Sequence, residues 1–158
     1  MTPPRRLRLR VLDELTVADS RPDALRTKLG GRAPVSDASV GAVVHVRGRD
    51  AASPAVVLFA DETEAHVWIG DGLVRRVARE ALSTHEGETP RAQASIAESA
   101  RTFATLTEGQ RVTFLDATGK TQTGVLVEKH RFGALVDASG TVVGVGFRRV
   151  FPAAAALS

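Results

Sequence analysis

The sequence has no cysteine and no tyrosine, and only one tryptophan, one methionine and three lysines among its 158 residues. Without cysteine, neither a disulfide nor a thiolate metal site is possible. No uninterrupted apolar run reaches the roughly 18 residues a helix needs to cross a bilayer. The N-terminal MTPPRRLRLRVLDEL carries the charge of a signal peptide but lacks the apolar stretch of about 7 to 15 residues that should follow it. A cytoplasmic bacterial protein with no membrane partner is expected. The phosphate-loop, GxSxG and HExxH patterns are missing. Gly144-Val-Gly146 has no third glycine or following helix, and the acidic residues are scattered over turns. No enzyme and no cofactor is expected. The histidines, His45, His66, His85 and His130, have no metal-ligand spacing. His45 and His66 fall on strands that could be neighbours, but with no third ligand no metal is expected.

What is present is apolar residues and arginine. The apolar share of 43% suffices for a core. The basic residues are almost all arginine, and charge is uneven: +3 over residues 1–40, −1 over 41–84, −2 over 85–108 and +3 over 109–158. The leader and the last third are positive.

Residues 109–151 slide back by 68 positions, without a gap, onto residues 41–83. Gly41 then falls on Gly109, Val44 on Val112, Val57-Leu58 on Val125-Leu126, Gly72 on Gly140 and Val77 on Val145. A duplicated small β unit is implied. Strands are expected at 43–47, 55–60, 65–69 and 73–77, with a 3₁₀ turn at 78–82. The second copy should have strands at 111–115, 123–129, 132–137 and 141–146, with a strand or 3₁₀ turn at 147–151. Ahead of them, alternating basic and apolar residues at 5–12 predict an edge strand. Pro22 and the Gly30-Gly31 pair bracket a two-turn helix. Thr89-Pro90 starts a bridging helix to about residue 105, with Ile96, Ala100 and Phe103 on one stripe. The division expected is a basic arm over 1–40, repeat one over 41–83, a linker over 84–108, repeat two over 109–152 and a tail over 153–158. Units of about 40 to 45 residues bury too little alone. The two should therefore share an interior, with Leu58 and Leu126 at the seam, Trp68 opposite Val136, and both leucines buried.

The stretch GQ-x-V-x-F-x-D-x-x-G-x-x-x-x-G-x-L-V from Gly109, followed by a basic hairpin, an apolar strand, a glycine turn and a further strand, resembles the Tudor and KOW branch of SH3-like barrels. The resemblance implies a mostly β fold of two tandem SH3-like small barrels, with a short N-terminal helix and a bridging helix. A Tudor-type aromatic cage needs several convergent rings, which one Trp and six Phe do not supply beyond the cores.

The aligned repeats differ in sign at one loop. Asp61-Glu62-Thr63-Glu64 falls on Lys129-His130-Arg131-Phe132. Lys129, His130 and Arg131, with Phe132 for stacking and Arg111, Lys120, Arg148 and Arg149 nearby, make a candidate phosphate-binding surface. Arg6, Arg8 and Arg10 on the leader could extend it. The expected function is a non-catalytic binding module for nucleic acid or a ribonucleoprotein. A protein adaptor, or self-association in which the 61–64 loop meets the 129–132 loop of another copy, is the alternative. Arg6 and Arg10 followed by Asp37, Ser39 and Gly41 also resemble the PilZ family of cyclic-di-GMP receptors, although one residue rather than two separates Ser39 from Gly41. That resemblance implies guanine binding by the two arginines.

Overall fold

The computed structural model describes residues 16–18, 25–27, 29–31, 39–48, 54–69, 74–116 and 118–153. Among them the chain divides into two compact units, one of residues 39–101 and one of residues 16–31 with 102–153. The chain is mostly β, in two antiparallel sheets.

The first unit contains β2 (Val43–Val46), β3 (Ala55–Ala60), β4 (Glu64–Trp68), β5 (Val74–Ala78) and β6 (Leu82–Thr84), after β1 (Thr16–Ala18), which belongs to the other unit. Its sheet runs β5-β4-β3-β2-β6. The strand AVVLFA, rich in β-branched residues, is buried at all six positions. Such a continuous apolar run suits a strand covered on both faces. The inner face holds Val44, Ala55, Val57, Ala60, Ala65 and Val67, with Val46, Val77 and Leu82 at its edge. Helix α1 (Arg91–Ala104) begins after Pro90, and its first bond runs from the Ala94 amide to the Pro90 carbonyl. Ile96, Ala97, Ala100 and Phe103 form its buried stripe. The helix lies against the loop before β2: a side chain at Gly41 would meet Arg101, whose Nη1 donates to the Gly41 carbonyl at 3.0 Å. Gln93 reaches the Pro54 carbonyl.

The second unit contains β7 (Arg111–Leu115), β8 (Thr121–Lys129), β9 (Gly133–Ala138), β10 (Thr141–Gly146) and β11 (Val150–Pro152), in a sheet ordered β1-β10-β9-β8-β7-β11. Without β1 this is the order of the first sheet. Both copies enter their last strand through one 3₁₀ turn, Arg79–Ala81 and Phe147–Arg149. The first four strands of each copy, the bridging helix and the 3₁₀ turn of repeat one match expectation; the fifth strand Leu82–Thr84 was not expected, and 147–152 is a 3₁₀ turn followed by a strand. Among the described residues the end strands of each sheet have one neighbour each.

The N-terminal segment adds a strand and a turn to the second unit. Residues 16–18 form β1, which pairs with β10 through Thr16↔Val145 and Ala18↔Val143. The expected strand at 5–12 lies outside the described residues. Residues 25–27 are helical and close on Gly30 and Gly31, both at positive φ, as expected of the Gly pair. This turn groups with the second unit. Leu25 and Leu29 cover the outer face of β9 and β10, where Gly133 leaves no room for a side chain and Gly144 leaves little. A Cβ on Gly133 would lie 2.5 Å from Leu29 Cδ2, and one on Gly144 would lie 3.2 Å from Leu25 Cδ2.

The gapless repeat is right in the outer strands and wrong in the central hairpin. Val44↔Thr84 matches Val112↔Pro152, a shift of 68. In the hairpin Val57↔Val67 matches Leu126↔Val136, and the bulge at Leu58 matches the bulge at Val127, a shift of 69. Repeat two has one residue more before this hairpin and one fewer after it, since Trp68↔Val74 corresponds to Asp137↔Val142. A slip of one residue exchanges the faces of a strand. Leu58 and Leu126 are both buried, at 5% and 0% exposure, but they are not counterparts, and Trp68 corresponds to Asp137 rather than Val136. Among the described residues no helix is long and apolar enough to cross a membrane.

Candidate functional site

The basic hairpin tip is where the sequence placed a ligand, and the fold uses it as an anchor. With the corrected register, Asp61 corresponds to His130 and Thr63 to Phe132: the Asp61 amide bonds to the Glu64 carbonyl at 3.0 Å, and that of His130 to the Gly133 carbonyl at 2.8 Å. Phe132 is fully buried, its ring lies beneath Gly30, and its amide donates to the Leu29 carbonyl. It offers no face for stacking. His130 is 1% exposed, with Nε2 3.3 Å from Glu128 Oε1. Glu128 accepts two bonds from Arg26, at 2.9 and 2.6 Å. The Arg26 hydrogen bond holds its carboxyl below the usual carboxylate range, against the opposing effect of burial. Arg131 is half-buried, its amide donating to the Gly31 carbonyl. Lys129 donates from Nζ to the carbonyls of Ala104 and Leu106, and sits 4.9 Å above the Phe103 ring. Burial pushes its ammonium pKa down. The tip thus holds the last residues of helix α1 and the turn around Leu29–Gly31, with His130 and Phe132 buried.

The acidic tip of repeat one is built differently. Asp61 Oδ1 accepts from the amides of Thr63 and Glu64, each at 2.9 Å. Those bonds, Thr63 first, hold its pKa down. This is a loop closed by its own aspartate.

The other basic residues stand at the two ends of β7. Arg111 is exposed at its start, and Lys120 is exposed beyond its far end, where the Asp116 amide donates to the Lys120 carbonyl at 2.8 Å. Arg148 and Arg149 are half-buried in the 3₁₀ turn, and Arg149 donates to the Leu115 and Asp116 carbonyls. Arg6, Arg8 and Arg10, and Asp37 of the cyclic-di-GMP pattern, lie outside the described residues.

A different face emerges on the second sheet. Val125, Val127 and Phe151 are 40%, 42% and 37% exposed, and among the described residues they are the large hydrophobics left in solvent. Val125 pairs with Arg111 and Phe151 with Thr113, so these four side chains share the outer side of β8, β7 and β11, with the bulge residue Val127 beside them. In repeat one the equivalent Val56 and Leu58 are buried, and Ser83 stands where Phe151 does. The sequence carried a faint sign of this: Thr121 and Thr123 have the parity of Val125, which marks that side of β8 as outer.

The expected neighbours His45 and His66 are two strands apart in the order β4-β3-β2. His66 packs edge-on against Phe59, ring centres 5.8 Å apart. Among the described residues no three His, Cys, Asp or Glu side chains gather to hold a metal ion. In comparisons with known proteins, no family model matches the chain and no curated protein is similar to it.

Proposed function

We propose that the chain is a non-catalytic binding module of two SH3-like β units, which docks a protein partner on the outer face of the second sheet. The strand order common to both sheets, with a 3₁₀ turn before each last strand, supports the SH3-like reading. One observation carries the docking reading: the exposed large hydrophobics, Val125, Val127 and Phe151, stand together beside Arg111. An aromatic ring, aliphatic side chains and an arginine on one surface are the composition of interface centres. The nucleic-acid reading retains the exposed Arg111 at the start of β7, with the exposed Lys120 and the half-buried Arg149 at its other end.

A photo-crosslinking residue at position 151 tests both. In cells it is expected to give an adduct that survives nuclease and is lost to protease, and the Val125→Ser change should abolish it while leaving the melting temperature within a few degrees. An adduct removed by nuclease, together with oligonucleotide binding that weakens steeply with salt, would replace the protein partner by nucleic acid.

A further inference from the structure

We propose that His45 and His85 form a two-imidazole site for a late first-row divalent transition-metal ion. His45 lies on β2 opposite Ser83, and the chain leaving β6 continues alongside so that the His85 amide reaches the Val43 carbonyl at 3.2 Å. The two histidines are therefore diagonal neighbours across the strand pair, where long side chains touch. Their rings meet edge to face, 4.8 Å between centres, with His85 Nδ1 3.0 Å from His45 Nε2.

The other nitrogen of His85 determines what its Nδ1 presents. Nε2 lies 3.1 Å from the Glu88 carbonyl, which only accepts, so Nε2 carries the hydrogen and Nδ1 turns a lone pair toward His45. An imidazole whose far N–H is held by a carbonyl is the arrangement that orients a histidine on a metal. Without metal, the His45 Nε2 proton fills the space between the rings. When the ion enters, the Nε2 proton of His45 leaves to solvent and Nδ1 takes one up, so the ring stays neutral and offers Nε2 as the second ligand. At the usual metal–nitrogen length of about 2.0–2.1 Å, two nitrogens 3.0 Å apart subtend about 95°, a cis angle suited to tetragonal Ni²⁺ or Cu²⁺. A few tenths of an ångström of opening would suit tetrahedral Zn²⁺.

The remaining ligand positions fall to solvent. Both rings are partly exposed, and a cavity of about 270 Å³ adjoins His45, lined also by Glu80 and Ser83. Arg47 lines it too, with Nη2 bound to the Glu80 carbonyl at 2.9 Å. Exposed Glu86 and Glu88 flank His85 and favour a cation. Repeat two lacks the site, because Thr113 and Ala153 stand at the equivalent positions: Thr113 pairs with Phe151, and the Ala153 amide bonds to the Arg111 carbonyl.

Calorimetric titration of the chelator-treated chain with Ni²⁺ and Zn²⁺, alongside histidine-ring NMR, tests the site. One ion per chain is expected, shifting the ring signals of His45 and His85, and His45→Gln or His85→Gln should each weaken binding by about tenfold or more. A folded His45→Gln/His85→Gln double variant that binds as tightly as the parent would overturn the proposal. So would an intact chain that takes up no ion at metal concentrations up to about a millimolar.

Discussion

Glu128 is the residue on which the N-terminal turn of the second unit is fastened, since it accepts both Arg26 bonds and lies within reach of His130. Arg26 is more than a third exposed, so the pair is screened, and Glu128→Gln is expected to cost about 1 kcal/mol in urea unfolding. Because the folded-state pKa of Glu128 is depressed, this contribution is complete above the unfolded carboxylate value of about 4.3 and is lost as pH falls through the lower folded value. The stability gap between parent and variant should therefore be constant from pH 5 to 7, as measured by melts across that range, and should narrow below about pH 4. A gap that widens in acid would contradict the assignment.

At the scale of elements, the two copies of the hairpin differ in what covers them. In the first unit Glu64 and Arg76 stand on the outer face and form an exposed ion pair at 3.4 Å. Glycines 133 and 144 occupy those positions in the second, and Leu29 and Leu25 fill the space. A methyl group at residue 133 would also come within 2.3 Å of the Val145 carbonyl. Gly133→Ala is expected to destabilise the second unit by about 1–3 kcal/mol. Amide exchange would show it as lost protection at Leu29, Gly30 and Gly31 before any change at Val57 or Val67. Spacing alone could not reveal that glycines on a strand receive leucines about a hundred residues earlier in the chain, because cover from a distant segment leaves no local periodicity.

At the scale of the molecule, a chain starting at residue 32 should lose β1 and the turn that covers β9 and β10. Hydrogen exchange is then expected to accelerate at Leu135 and Val145 of the second sheet and at Phe147 in the 3₁₀ turn after it, while Val57 and Val67 of the first sheet's inner core keep their protection. Uniform protection across both sheets would show that residues 1–31 contribute nothing to the second unit.

Local pattern was sufficient for the first four strands of each copy, the helix bridging them, a 3₁₀ turn after the fourth strand of repeat one and the Gly pair that ends the early turn, but not for the short fifth strand Leu82–Thr84. These depend on turn residues and short-range periodicity, which act within a few positions. Which side of each strand turns inward could not be read that way, since a period of two looks the same from either face. One residue gained before β8 and one lost before β10 shifted the central hairpin, and pairing with neighbouring strands was needed to detect it. The same limit hid the surroundings of the basic tip: Phe132 and His130 look like a ligand-binding tip in sequence, but both are buried, Phe132 against Leu29 and Gly30, while Val125, Val127 and Phe151 face solvent.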